Sequence, residues 1–182
     1  MGFPIHIIDL IRKLYAKQQS VVRTSAGTSA WLKVRRGVRQ GCVLSPYLFN
    51  VYAERARREA LDGYDKGFRI GGRVINNLRY ADDIVLIATS VSDLQQLVDR
   101  VRLASQKLGL IINTAKNKVM VSARATVVAS IIVNGQSLEQ VSSFVYRGAT
   151  FKEDGSCTPE IRKRLAMGRS VMQSLSKIWK SK

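Results

Sequence analysis

With 182 residues, 46% of them hydrophobic, the chain is long enough to bury one core, so we expect one domain or a large part of one. Thirty Lys and Arg against thirteen Asp and Glu give a net charge of +17. This excess favours a polyanionic partner, with an anionic membrane surface as the weaker option. Asp9, Arg12 and Lys13 interrupt the apolar N-terminal pattern, so we expect neither a membrane span nor a signal peptide.

Cysteine and histidine usage narrows the class of protein further. Cys42 and Cys157 are far apart and have no metal-ligand spacing, which is typical of a protein in a reduced intracellular compartment. His6 is the single histidine, which argues against a histidine-based metal site.

The sequence pattern of the first half of the chain predicts two helices and two hairpins. Pro4 opens a helical apolar pattern, and a strand pair follows around a short loop at residues 25–29. Ser45 and Pro46 predict the N-cap and first position of a second helix that runs toward Leu61. A Gly71-Gly72 turn then leads into a hairpin with Asp82 and Asp83 at its tip.

The second half continues the alternation of helices and short strands. A capping box at Ser92 predicts a helix that Gly109 ends. Short strands near 110–112 and 119–121, a hairpin at Asn134-Gly135 and a strand near 141–146 follow. Thr158-Pro159 starts a last helix with one apolar face and many basic residues. Helices interleaved with hairpin-connected strands predict an α+β fold.

Asp82 and Asp83 place two like charges in a turn that would form more easily with glycine. Their repulsion is relieved when a divalent cation binds beside them, and Mg²⁺ is commonly held by one or two carboxylates together with substrate phosphates. In two-metal phosphoryl transfer, one ion activates the attacking oxygen and the other neutralises the leaving pyrophosphate. The alternative is a solvated pair, because Asp is a common turn former.

A second stretch with candidate chemistry lies before the second helix. Arg39, Gln40 and Gly41 bring a cation and backbone N–H groups near a helix N-terminus, which suits a phosphate or nucleotide. An ordinary loop-to-helix connection is the alternative, and for this stretch alone it is the favoured one.

Together, "RRGVRQGCVLSPYLFN" (residues 35–50) and "GGRVINNLRYADD" (71–83) resemble the reverse transcriptase domain of LINE-type (non-LTR) retrotransposons. The resemblance continues in order through residues 94–120, 131–148 and 160–179, so it covers nearly all of the chain. It implies an incomplete right-hand polymerase palm, an antiparallel sheet with packed helices, over residues 1–157, with fingers-side elements at its N-terminus. Residues 158–182 would be a basic amphipathic helix at the start of the thumb.

The resemblance also implies roles for individual residues. Asp82 and Asp83 would be catalytic and would bind Mg²⁺, with Mn²⁺ as a substitute, and Lys116 would protonate the leaving pyrophosphate. The residues implied to contact nucleotide and template are Arg39, Gln40, Gly41, Tyr80 and Ala81. Those implied to hold the primer are Phe144, Tyr146 and Gly148.

The implied activity is RNA-directed DNA synthesis at a primer 3′-hydroxyl, inside the nucleus or the cytoplasm. Its partners would be an RNA template, a DNA primer or target DNA, deoxynucleoside triphosphates and an upstream segment of the same polyprotein, such as an endonuclease domain. No membrane is implied.

This sequence departs from the family pattern at three places. No residue matches the family's further metal-binding aspartate from an earlier strand, so we expect a fragment that binds nucleic acid but does not synthesise DNA alone. The family's usual Lys-Thr-Lys is replaced here by Lys116-Asn117-Lys118, and its usual Tyr-Leu-Gly by Tyr146-Arg147-Gly148. A catalytically inactive nucleic-acid-binding remnant and an intron-maturase-type polymerase are the alternative interpretations.

Overall fold

A computed structural model describes residues 2–125 and 127–179. The helices are α1 (Ile5–Tyr15), α2 (Leu44–Leu61), α3 (Val91–Lys107), α4 (Thr158–Ser174) and α5 (Ser176–Trp179), with a 3-10 helix at Thr114–Lys116. The strands are β1 (Gln19–Ser20), β2 (Arg23–Thr24), β3 (Gly27–Thr28), β4 (Leu32–Lys33), β5 (Phe68–Ile70), β6 (Arg73–Ile75), β7 (Asn77–Tyr80), β8 (Asp83–Leu86), β9 (Lys118–Val119), β10 (Ile132–Val133), β11 (Gln136–Ser137), β12 (Glu139–Gln140), β13 (Ser143–Tyr146) and β14 (Ala149–Lys152).

The strands of the described residues form seven two-stranded sheets, six antiparallel and one, β9 with β12, parallel. This mixture of helices and small sheets confirms the α+β prediction. Among residues 2–125 and 127–179, none of the helices combines the length and the apolar character that crossing a bilayer demands. The chain divides into two compact units, one ending at Val51 and the other starting at Tyr52.

The first unit contains α1, the predicted strand pair and the start of α2. In the strand pair, β1 is bonded to β4 and β2 to β3. The prediction of Ser45 as an N-cap is wrong, because α2 already begins at Leu44. Ser45 is instead buried inside the first turn, with its hydroxyl 3.2 Å from the hydroxyl of Tyr15.

The core of the second unit is built around α3. Leu97 of α3 is fully buried in a cluster with Ala60 and Leu61 of α2, and its neighbour Val98 belongs to a second cluster with Ile131 and Val133. Because adjacent residues of α3 serve the two clusters, this helix joins the end of α2 to the later strands.

Two glutamine side chains bond backbone groups as a peptide would, Gln95 at the edge of β10 and Gln140 at residues outside the strands. The amide of Gln95 donates to the Ile132 carbonyl at 3.0 Å and accepts from the Ile132 N–H at 2.8 Å. Gln140 bonds the Val127 carbonyl and the Ala129 N–H in the same way, at 2.9 and 2.8 Å. Each carboxamide therefore occupies the place of a neighbouring peptide group.

The two ends of α3 differ in how well the sequence predicted them. Gly109 has φ +70°, and the N–H groups of Gly109 and Leu110 bond the carbonyls of Gln106 and Ser105, a Schellman motif. This confirms the predicted stop and explains why the strand predicted near 110–112 is wrong, since the N–H of Leu110 caps the helix. At the other end the N-cap is Ser90, not Ser92, and its hydroxyl accepts from the Asp93 N–H at 3.1 Å.

The two serines provide a test of this cap. Ser90→Ala should lower the free energy of unfolding by about 1 kcal/mol, because the Asp93 N–H loses its acceptor. Ser92→Ala is the matched control and should change it by less than about 0.5 kcal/mol. Urea unfolding of both variants measures the difference, and a larger loss for Ser92→Ala would return the cap to the predicted position.

Candidate functional site

The hairpin β7–β8 presents Asp82 and Asp83 at its tip. Tyr80 pairs with Asp83 across the strands, so the turn consists of Ala81 and Asp82 alone. Both aspartates are exposed, and Tyr80 is 54% exposed. The structure thus places the two aspartates at the point of chain reversal, as the sequence predicted, and leaves both exposed to solvent.

The backbone of this turn differs from that of the other two-residue hairpins in the second unit. Gly71-Gly72, Asn134-Gly135 and Arg147-Gly148 have positive φ at both positions, the pattern of type I′ turns. In the aspartate turn the positive φ, +51°, falls on Ala81 alone. A non-glycine residue in this region costs roughly 1–2 kcal/mol, and such strain concentrates at functional sites.

The donor set at this tip suits a hard cation. Carboxylate oxygens are the ligands that Mg²⁺ prefers, and it is usually held by one or two of them together with water and substrate phosphates, so an exposed aspartate pair fits. Among the residues that the structure describes, no group of three or more His, Cys, Asp or Glu side chains is arranged to hold a metal.

Glu54 of α2 holds the hairpin from the side of β7. Its carboxylate accepts hydrogen bonds from Arg57 at 2.7 and 3.0 Å and from Arg58 at 3.1 Å. It also accepts one at 3.0 Å from Arg79, the residue before Tyr80. One side chain therefore links helix α2 to the strand that leads into the aspartate turn.

The charge state of Glu54 follows from these partners. The Arg57 guanidinium, with smaller contributions from Arg58 and Arg79, holds the pKa of Glu54 far below its usual range, although partial burial opposes the shift. The Glu54 side chain is 26% exposed and that of Arg79 is 30% exposed, so water screens the ion pair only in part.

A second hairpin, β13–β14, contributes a contact at Tyr80. The guanidinium carbon of Arg147, in the β13–β14 turn, lies 3.1 Å from the centroid of the Tyr80 ring. Phe144 and Tyr146 are half-buried on one face of β13, and the Gly148 carbonyl accepts from Lys163 of α4 at 3.4 Å. The structure therefore brings the hairpin that was predicted to hold the primer next to the aspartate hairpin.

Lys116 ends the 3-10 helix and is exposed. Two residues later, Lys118 forms an ion pair with Glu139 at 3.1 Å, and between them Asn117 donates to the Asn113 carbonyl at 2.6 Å. These contacts order the short segment around Lys116.

Arg39, Gln40 and Gly41 lie in the first unit. Arg39 and Gln40 border a depression of about 350 Å³, which segment 18–20, Val34 and Val38 also line. Nearby, the Leu44 N–H and the Ser45 hydroxyl lower the pKa of the Cys42 thiol. Part of the donor capacity at the start of α2 is thus directed at Cys42.

Glu54, Arg79 and the partner of Arg147 were missed by the sequence analysis. The spacing of Glu54 with Arg57 and Arg58 is visible as i+3 and i+4 pairs along a helix. The contacts of Arg79 and Arg147 join residues that are distant along the chain, and no local pattern indicates them.

The strain at Ala81 gives a direct prediction. Ala81→Gly removes a cost of about 1–2 kcal/mol and adds about 0.5–1 kcal/mol of backbone entropy in the unfolded chain. We expect urea unfolding to show a net gain of about 0.5–1 kcal/mol. Ala149→Gly, at a strand position of another hairpin, is the control and should destabilise by about 0.5–1 kcal/mol. Equal losses in both variants would contradict strain at Ala81.

The ion pairs of Glu54 predict a pH dependence. Because folding lowers the pKa of Glu54 from its ordinary value of 4.5, its contribution is complete well above pH 4.5 and is lost as the pH falls below that value. Glu54→Gln should lower the free energy of unfolding by about 1–2 kcal/mol at pH 7, with allowance for solvent screening.

Unfolding measured between pH 3 and pH 7 checks this (roughly the range over which carboxylates titrate). The difference between wild type and Glu54→Gln should shrink toward the acid end. Glu153→Gln, at an exposed position, is the control. A difference that is independent of pH would show that the charge of Glu54 does not matter.

The chain is similar in sequence to known proteins over most of its length. The family model described as "Reverse transcriptase (RNA-dependent DNA polymerase)" matches residues 1–151. The chain is 32% identical over 107 residues, 59% of its length, to the Retrovirus-related Pol polyprotein from type-1 retrotransposable element R2 of Nasonia vitripennis, and covers 10% of that protein. It is 30% identical over 115 residues, 63% of its length, to the polyprotein from type-2 retrotransposable element R2DM of Drosophila melanogaster, and covers 11% of it.

A third relative is the type-1 element R2 polyprotein of Bradysia coprophila. The identity is 32% over 117 residues, which are 64% of this chain and 13% of the relative. The chain therefore spans about a tenth of the length of these three polyproteins. The family match covers most of the chain and includes β7–β8 and all but the last residue of β13–β14. The chain belongs to the reverse transcriptase (RNA-dependent DNA polymerase) family.

Proposed function

We propose that the chain is the catalytic palm segment of an RNA-directed DNA polymerase of a non-LTR retrotransposon. The observation that carries the proposal is the exposed Asp82–Asp83 pair on a strained turn, in a chain that belongs to the reverse transcriptase family. In this assignment residues 1–157 are palm with adjoining fingers-side elements, and residues 158–182 begin the thumb. The protein acts inside the cell, as one part of a longer polyprotein.

In this proposal Asp82 and Asp83 hold Mg²⁺, for which Mn²⁺ can substitute. The bound ions would lower the pKa of the attacking primer hydroxyl and neutralise the charge of the leaving pyrophosphate. Exposure at the tip of a hairpin supports this role, because the carboxylates remain accessible to substrate phosphates.

The other predicted residues bind and orient the substrates. Lys116 supplies a proton to the pyrophosphate oxygen, and its exposed position on an ordered turn supports that role. Arg39, Gln40 and Gly41, with Tyr80 and Ala81, contact template and incoming nucleotide. Phe144, Tyr146 and Gly148 hold the primer end.

The charge of the chain supplies most of the affinity for nucleic acid. A net charge of +17 supports binding through phosphates with little sequence preference. RNA template and DNA primer both fit such a surface, and base pairing between template and incoming nucleotide then determines which nucleotide is added.

Substitution of the aspartates tests the proposal. Asp82→Asn and Asp83→Asn, in the chain expressed with whatever coding sequence flanks it, should lower primer extension on an RNA template by roughly 10²–10³-fold. A neutral amide binds Mg²⁺ poorly, and metal stabilisation of the transition state is worth several kcal/mol. Asp65→Asn, which changes an exposed acid elsewhere in the same unit, is the control and should extend normally.

Nucleic-acid binding separates loss of chemistry from loss of structure. All three variants should bind RNA with the wild-type affinity and the same steep decrease with salt. Binding without extension by the wild type would favour the non-catalytic alternative, and normal extension by Asp82→Asn would refute the assignment.

A further inference from the structure

Arg147 occupies a turn position that its own backbone does not favour. It has φ +54° and is the first residue of the turn Arg147-Gly148. Asn, Asp and Gly are the usual residues at this position of a type I′ turn, and Asn134 occupies the equivalent place between β10 and β11. The turn itself therefore does not account for an arginine at residue 147.

The side chain of Arg147 makes a contact that does account for it. Its guanidinium carbon lies 3.1 Å from the centroid of the Tyr80 ring, well within the range of a cation–π contact. A planar guanidinium can stack on the ring face, whereas a leucine can offer only apolar contact and a lysine only a point charge.

The Arg147–Tyr80 contact joins two separate sheets. Tyr80 belongs to β7–β8 and Arg147 to β13–β14, and each of these hairpins is a sheet of two strands without ladder hydrogen bonds to the other. Tyr80 on β7 pairs directly with Asp83 on β8, so the residue whose ring Arg147 covers is the cross-strand partner of one of the two aspartates. The contact thus connects the tips of both hairpins.

We propose that Arg147 is a positioning residue that acts through Tyr80. Its guanidinium fixes the turn of β13–β14 against the hairpin that carries Asp82 and Asp83, and so aligns a primer end on one hairpin with the carboxylates on the other. This inference rests on the proposed function, because the two hairpins need a common alignment only if both serve one reaction. Reactions of bound groups are sensitive to displacements of about 1 Å, which can cost on the order of 10²-fold in rate.

The contact itself can be measured without any substrate. In NMR spectra of the nucleic-acid-free chain, the side-chain protons of Arg147 should be shifted upfield by the ring current of Tyr80. The shift should persist in Tyr80→Phe, which keeps the ring, and vanish in Tyr80→Leu. An unshifted Arg147, or a shift that survives Tyr80→Leu, would overturn the inference.

Primer extension by the chain expressed with its flanking coding sequence, wild type or variant, tests the positioning role. Arg147→Gln should lower kcat by roughly 10-fold to 100-fold with a smaller change in KM, because alignment is lost while substrates still bind. Arg147→Lys should recover part of the rate, since a cation over the ring remains. Arg73→Gln, in the β5–β6 hairpin, is the matched control and should extend like the wild type.

A combination of substitutions separates positioning from direct contact with nucleic acid. Arg147→Gln should cause the same loss in a Tyr80→Phe background as in the wild type, and almost none in a Tyr80→Leu background. The loss could instead be equal in the wild-type, Tyr80→Phe and Tyr80→Leu backgrounds, and the salt dependence of binding could weaken by the amount expected for about one lost phosphate contact. That result would make Arg147 a phosphate ligand and overturn the proposal.

The two proposals fail in different ways. If the wild type extends no primer while the ring-current shift is present, the proposed function fails and the positioning role falls with it, although the contact stands. If the wild type extends primers and Arg147→Gln does so equally well, the proposed function stands and the positioning role is refuted.

Discussion

The carboxylate of Glu54 is the interaction on which the geometry of the candidate site depends. It accepts hydrogen bonds from Arg57 and Arg58 of its own helix and from Arg79 of β7. The helix end that follows it is packed against α3 through Ala60 and Leu61, so the carboxylate is held by a rigid element. A short exposed hairpin on its own is marginally stable, and this ionic anchor connects it to the core of the second unit.

Local sequence signals predicted those parts of the fold that local chemistry determines. Glycine marked the turn at Gly71-Gly72 and the hairpin at Asn134-Gly135 correctly, since positive φ is cheap only for a few residue types. The helix stop at Gly109 was correct for the same reason. The predicted cap at Ser92 was wrong because Ser90 is an equally good capping residue. In the structure Ser90 has the extended backbone of an N-cap, and the helix begins at Val91.

For the candidate site, the sequence predicted the aspartate turn but not the contacts that other elements make with it. Adjacent aspartates between two apolar runs indicated the turn, and the absence of glycine indicated that something other than turn stability selects its residues. The partners of Arg79 and Arg147 were beyond sequence reasoning, because each contact depends on how separate elements pack. Arg147 was noticed only as a departure from the family pattern, and the structure gives it a neighbour in Tyr80.

The carboxamide of Gln95 has a consequence for the behaviour of the chain in concentrated solution. A two-stranded sheet leaves rows of unpaired N–H and carbonyl groups that can recruit a strand from another molecule. At Ile132 of β10 the side chain of Gln95 already occupies both groups. Glutamine can block such an edge because its amide both donates and accepts, whereas glutamate could satisfy only the N–H. Gln95 thus protects this edge of the β10–β11 sheet against strand addition from another molecule.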